Sequence, residues 1–150
     1  MIEKVKEFHK LYDLPILEKP TLISKDRAKL RIDLIKEELE ELEKAVEDNN
    51  IVEVADALTD LEYVVLGAAL EFGLTNIFGE LFDEVHRSNM SKSCKSLQEA
   101  SMTVEHYDKR DGTKAFIFES GENYVVRRDD GKLLKSIRYS PANLTKIISK

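Results

Sequence analysis

Residues 33–62 carry twelve acids against two bases, Lys36 and Lys44, and lead directly into LEYVVLGAAL at 61–70, which is apolar nearly all round. The rest of the chain holds 17 acids and 21 bases, so a local net charge of −10 stands against +4 elsewhere. Like charge at this density, next to a helix of buried character, leaves two outcomes. The carboxylates face water on an open surface, or they meet a compensating cation.

Helical wheels separate the acids. At about 100° per residue from Glu37, the apolar Ile35, Leu39, Leu42 and Val46 fall at roughly 140–200° and form a core face. Glu40, Glu43 and Glu47 fall on a solvent flank. Glu37, Glu41 and Glu38 fall at about 0°, 40° and 100°, which brings Glu38 to the edge of the core stripe. Taken alone, a Glu-rich helix of this kind is usually a solvated face. The following helix changes the balance. Glu53, Asp56 and Asp60 share an arc of about 60° on it. Asp is a poor helix former, and three carboxylates on one face of a mostly buried helix require a cation. No comparable row of Lys or Arg exists to supply it, so a metal ion is the simplest candidate.

Oxygen-only ligation suits Mg²⁺, Mn²⁺ or Ca²⁺ and not zinc or copper. His9, His86 and His106 do not supply the Glu-x-x-His pairs of a di-iron bundle. There is no P-loop, no GxGxxG, no HExxH and no signature of a nucleophilic Ser or Cys. The overall charge of −6 argues against nonspecific nucleic-acid binding. Cys94 stands alone, which excludes an internal disulfide and a Cys-based zinc site. No apolar run reaches the roughly 18 residues of a membrane span, and the expected compartment is the cytoplasm.

The expected layout is mainly α. Helices are read over 2–12, from a cap at Ser24 or Asp26 to Asn49–Asn50, over 51–72 with a stop at Gly73, from Thr75 to about His86–Arg87, and over 97–107 behind Ser96. The pattern then changes to short β segments at 115–119 and 123–127, punctuated by Gly121 and Asp130–Gly131, as in a hairpin or three-stranded meander. Ser140–Pro141 reads as a cap and first-turn proline for a last helix over 142–148. The division is a helical domain over 1–108 and a small β-containing extension over 109–150. The helix at 51–72 is apolar on more sides than one hairpin covers, which implies a homodimer or a dimer of dimers.

Glu-x-x-Glu (Glu38, Glu41), a linker of about a dozen residues, and Glu-x-x-Asp (Glu53, Asp56) together resemble the all-α NTP pyrophosphohydrolase superfamily. That group includes MazG, the dimeric dUTPases and dCTPases, and phosphoribosyl-ATP pyrophosphohydrolase. FDEVHRSNMSK at 82–92 resembles the segment after the third core helix in the MazG-like and phosphoribosyl-ATP pyrophosphohydrolase-like branch. The resemblance implies a four-to-five-helix MazG-like bundle over roughly residues 1–92. It also implies hydrolysis of a nucleoside triphosphate to monophosphate and pyrophosphate with Mg²⁺ or Mn²⁺. The implied metal ligands are Glu38, Glu41, Glu53, Asp56 and Asp60, and Glu37 or Glu38 is the implied general base. Arg31, Arg87, Asn89 and Lys92 are candidates for the phosphates.

Each of these has a plainer counterpart. Arg87 and Lys92 suit a helix C-terminus. Arg27 and Arg31 suit ion pairs with Asp26 or Asp33. His9 suits an exposed surface, and Tyr63 suits a core. Two positions depart from the pattern. Ala57 stands where MazG proper has a Glu, so both registers, Glu53–Asp56 and Asp56–Asp60, remain open. Glu62 stands where a Leu is more usual and points away from the acidic face. The Ala57 departure also leaves open a noncatalytic helical oligomer, a nucleotide sensor or adaptor that keeps the metal site.

Overall fold

The first helix, α1 (Ile2–Leu11), gives way to a loop through Pro15 and Pro20. Ser24 then opens α2 (Lys25–Glu47), its hydroxyl accepting from the Arg27 backbone N–H. Asn50 opens α3 (Ile51–Glu71) by accepting from the N–H groups of Val52 and Glu53. Such caps satisfy donors that a helix start leaves orphaned and contribute about 0.5–2 kcal/mol each. Only three residues separate α2 from α3, so the second helix folds straight back along the first. The computed structural model describes residues 1–149, and the chain divides into two compact units, Met1–Gly79 and a second that begins at Glu80.

The core of the first unit is Val5, Leu66 and Leu70, with Ile2, Ile16, Tyr63 and Phe78 packed against them. α1 therefore covers the second half of α3. Gly73, at φ +67°, ends this region, and a Cβ there would lie 2.0 Å from the Lys19 carbonyl oxygen. The loop is held by the Leu17 and Thr21 N–H groups, which donate to the carbonyls of Leu70 and Phe72.

At this same end, Glu71 has 0% exposure. Arg27 donates to it from Nε and Nη2, both at 2.5 Å, and Arg31 donates from Nε at 2.7 Å and from Nη2. Burial pushes the Glu71 carboxyl up, but the hydrogen bonds and charges of the two guanidiniums outweigh it and hold it below the usual range. His9 is also buried, at 2% exposure. Its Nδ1 lies 3.0 Å from the Pro15 carbonyl, which can only accept, so that nitrogen carries the proton and Nε2 accepts from Arg31 Nη2 at 3.4 Å. A Cβ on residue 67 would meet His9 Nε2 at 3.1 Å and Arg31 Nη1 at 3.2 Å, so Gly67 admits both side chains to α3. Two expectations are corrected here. His9 is not on the surface, and Arg27 and Arg31 pair with Glu71 rather than with Asp26 or Asp33. The physical reason is that a fully buried carboxylate recruits the nearest cations far more strongly than an exposed one does.

Thr75 does not cap a helix. It begins a 3₁₀ turn (Thr75–Ile77) ahead of α4 (Phe78–Met90), and its Oγ1 is buried without a hydrogen-bond partner among the described residues.

In the second unit Ser96 caps α5 (Leu97–Asp111), accepting from the Glu99 N–H, while the Glu99 carboxylate accepts from the Lys95 N–H and the Ser136 hydroxyl. β1 (Ala115–Ser120) and β2 (Asn123–Arg128) pair antiparallel, from Ala115↔Arg128 to Ser120↔Asn123, across a turn at Gly121. The alternative of a three-stranded meander reduces to a single bridge, Arg127↔Leu133. α5 and the hairpin share one core of Cys94, Ala100, Tyr107, Val126 and Leu134. A two-stranded sheet is marginal by itself, so it needs α5. Both belong to the unit that begins at Glu80.

The last helix, α6 (Thr145–Ile148), starts later than expected, behind Leu144. Ser140 and Pro141 do not cap it, because the Ser140 hydroxyl and the Pro141 carbonyl accept from Arg87. The chain is mainly helical with a small C-terminal hairpin, as the sequence implies. Among the described residues no single helix is long and apolar enough to cross a membrane.

Glu71→Ala should cost about 3–5 kcal/mol, because it leaves two guanidiniums at a buried site with no counter-charge. The check is the urea midpoint at unchanged m-value. The folded carboxyl titrates below its unfolded value, so its contribution is complete above about pH 4.3 and is lost as pH falls through the folded pKa. Glu71→Gln should flatten that part of the acid limb.

Candidate functional site

Beyond the Glu71 cluster, α2 and α3 continue toward their connecting turn, and there the acids meet. Glu38 is half-buried, and Glu37, Glu41, Glu53, Asp56 and Asp60 are exposed. The expectation of carboxylates on a mostly buried helix is corrected. Of the last six residues of α3, Leu66, Gly67, Ala69, Leu70 and Glu71 are buried, but in its first ten only Ala57 is.

The neighbouring acids nevertheless act on Glu38. Burial first, then the charges of Glu41, Asp60, Glu37 and Asp56, push the Glu38 carboxyl above its ordinary range. The charges of Asp56 and Asp60 on α3 thus reach Glu38 on α2. Glu53 lies closer to the turn, where it lines a cavity of about 360 Å³ with Glu41, Lys44, Ala45 and Asp48. None of Glu37, Glu38, Glu41, Glu53, Asp56 and Asp60 has an ion pair among the described residues. Ala57, the departure noted in the sequence, is buried at 3% exposure. Glu62 falls outside the acid cluster, beside Tyr63 and Leu66 in a separate cavity.

This donor set fits a hard divalent cation chemically. All of its atoms are carboxylate oxygens, and Mg²⁺ takes a few of these together with water and substrate phosphates. Among the described residues, no three His, Cys, Asp or Glu side chains stand close enough to enclose an ion as they are. An ion held by these acids would require the exposed carboxylates to rotate inward.

The proposed phosphate-binding residues are placed differently. Arg31 lies two turns before Glu38 and is committed to Glu71. Arg87, Asn89 and Lys92 belong to the second unit. Arg87 donates to Glu84 from Nε at 2.7 Å and from Nη2 at 2.9 Å, and to Ser140 Oγ and the Pro141 carbonyl. These bonds, with one from the Asn143 N–H, bring the Glu84 carboxyl down to about 2. Arg87 thus ties a C-terminal segment to α4. Asn89 is exposed, and Lys92 is half-buried with its carbonyl accepting from the Ser136 N–H. Sequence reasoning missed Glu71. The signal was present as an acid closing the apolar stretch 61–70, with two arginines spaced four apart on the preceding helix.

The family model described as phosphoribosyl-ATP pyrophosphohydrolase matches residues 5–89, which span α1 to nearly the end of α4 and include every acid named above. A relative, the uncharacterized protein L479 of Acanthamoeba polyphaga mimivirus, is 27% identical, with 93% of this chain and 87% of that protein covered.

A raised carboxyl favours the folded state below its unfolded pKa of about 4.3, and that advantage disappears as pH rises through the folded pKa. At neutral pH the ionised Glu38 therefore destabilises the metal-free chain. Glu38→Gln should raise the metal-free Tm at pH 7, and the difference from wild type should close near pH 4. Differential scanning calorimetry across that range reads both.

Proposed function

The chain belongs to the phosphoribosyl-ATP pyrophosphohydrolase family, within the MazG-like all-α NTP pyrophosphohydrolase superfamily, and from that premise we propose that it hydrolyses a nucleoside triphosphate to the monophosphate and pyrophosphate with Mg²⁺. The family itself implies a pyrophosphohydrolase acting on a nucleotide-like substrate. The observation that carries the finer reading is the convergence of the charges of Glu41, Asp56 and Asp60, from both α2 and α3, on the half-buried Glu38. A polyphosphate is itself anionic, so an acidic face binds one only when cations lie between.

In this reading Glu38, Glu41, Asp56 and Asp60 hold Mg²⁺ or Mn²⁺, with Glu53 at the turn side. The bound metal would neutralise charge on the phosphates and make a water molecule more acidic. The protein's own part is to place that water and take its proton. Glu38, half-buried among like charges, or the exposed Glu37 beside it, receives the proton on a carboxylate oxygen. Hydrophobic side chains on the open side of the helix pair, among them Leu39, Val46, Ile51, Val52 and Leu58, are exposed. A second copy of the chain is proposed to cover them, in a homodimer or a dimer of dimers.

A second reading, a nucleotide-binding oligomer without turnover, is favoured by Ala57 and by the absence of a closed carboxylate cage among the described residues. Turnover separates the two. Pyrophosphate release is measured from a panel of ribo- and deoxyribonucleoside triphosphates and a phosphoribosyl nucleotide, with Mg²⁺. Wild type should release it from at least one, and Glu38→Gln should lower kcat by about 10²-fold or more. No release from any nucleotide would sink the enzymatic reading, and full activity in Glu38→Gln would sink the site.

The metal is tested separately. Mg²⁺ at about 100 times its dissociation constant should add about 2.7 kcal/mol of stability to wild type. A much smaller gain in the double variant Asp56→Asn/Asp60→Asn is expected, read by thermal melts.

A further inference from the structure

The acid cluster leaves one carboxylate of α3 unexplained. Glu62 lies outside the cluster and has no hydrogen bond or ion pair among the described residues. It lines a cavity of about 200 Å³ between α1 and α3, together with Lys4 and Val5 of α1 and Thr59, Tyr63 and Leu66 of α3. This cavity is mainly apolar, with Val5 and Leu66 belonging to the buried core behind it. Tyr63 is held edge-on by Phe8, with ring centroids 5.7 Å apart. On the helix wheel the cavity residues occupy an arc next to that of Asp56 and Asp60, at about 180–280° against 300–340°.

The slot adjoins the arc of the acid cluster on its Tyr63 side, and the exposed, unpartnered carboxylate of Glu62 stands at its far rim, which together have the composition of a reader for a planar, polar-edged ring. The slot is smaller than the roughly 300–1,000 Å³ of pockets that enclose whole ligands, so it admits one part of a nucleotide. The phosphates belong with the acids, which leaves the base.

We infer that this cavity takes the base of the substrate and that Glu62 selects guanine, an inference that rests on the proposed pyrophosphohydrolase reading. The selection follows from edge chemistry. An ionised carboxylate has two acceptors and no donor. Guanine presents N1–H and the 2-amino group side by side, two donors that match it. Adenine and cytosine each present one donor beside a ring-nitrogen acceptor, which repels the second oxygen. Uracil and thymine present one donor flanked by two carbonyls, which repel both. Lys4, lining the same cavity, supplies a donor suited to O6 of guanine. Thr59 is not needed for this recognition, because its hydroxyl already donates to the Ala55 carbonyl at 2.7 Å.

The test is kcat/KM for GTP, ITP, ATP, CTP and UTP with Mg²⁺, for wild type and Glu62→Gln. ITP lacks the 2-amino group and should fall between GTP and the others in wild type. Glu62→Gln should lower kcat/KM for GTP about tenfold, the effect of one hydrogen bond to a charged group. It should move ATP, CTP and UTP upward, since an amide offers one acceptor and one donor, and each of those bases presents a donor beside an acceptor. Wild-type turnover without guanine preference, or a guanine preference that Glu62→Gln does not move, overturns the inference and leaves the proposed reaction standing. Equilibrium dialysis with GMP and CMP covers the opposite case. If no triphosphate is turned over, Glu62-dependent preference for GMP still supports the base pocket while the reaction falls. Equal binding of GMP and CMP overturns the pocket.

Discussion

Glu71, buried between Arg27 and Arg31, is the interaction on which the first unit depends. α2 and α3 form one pair of helices with carboxylates at both ends. At the Glu71 end the protein supplies its own cations, and the network extends through His9 to α1. Near the turn, Glu37, Glu38, Glu41, Asp56 and Asp60 gather without an ion pair among the described residues. One end is therefore rigid and electrostatically closed, and the other is open and short of positive charge. A buried ion cluster of this kind is weak evidence for added stability but strong evidence for a fixed arrangement, since removing one partner exposes the others to the full cost of burial.

That fixed end is what allows the open end to hold like charges side by side. Repulsion among carboxylates would separate two loosely packed helices. Here Val5, Leu66 and Leu70 pack α1 on α3, and Gly67 and Gly73 permit the close approaches that anchor the loop and the arginines. The acids can then be near one another with their side chains uncommitted to any ion pair among the described residues. The second unit is built on different terms. Its hairpin leans on α5 through Val126 and Tyr107, and its C-terminal segment is tied to α4 through Arg87.

Much of this was legible in the sequence because it rests on local chemistry. Ser24 and Ser96 mark helix starts by side-chain capping, and Asn49–Asn50 and Gly73 mark ends, so the helix order follows from neighbours in the chain. The acids of α2 and α3 were legible for the same reason, since helical spacing fixes which residues share a face. What could not be read depends on partners distant in sequence. The Glu71–Arg27 and Glu71–Arg31 pairs join residues 44 and 40 positions apart. The burial of His9 depends on Pro15 and Arg31. Ser140–Pro141 misled because a local cap signal lost to a long-range hydrogen bond from Arg87. Composition also overstated the burial of α3, since Ile51, Val52 and Leu58 in its first half stay exposed.

The central claim is that the open end of the α2–α3 pair is a divalent-cation site. Manganese, which shares the oxygen preference of Mg²⁺ and carries an electron-spin signal, reads it directly. Titration of the protein with Mn²⁺, followed by the loss of free-ion signal, should show saturable binding that Mg²⁺ displaces. Binding should be weakened at least tenfold in Glu38→Gln/Asp60→Asn and unchanged in Arg87→Ala. Absence of saturable binding, or equal binding by wild type and Glu38→Gln/Asp60→Asn, would contradict the account.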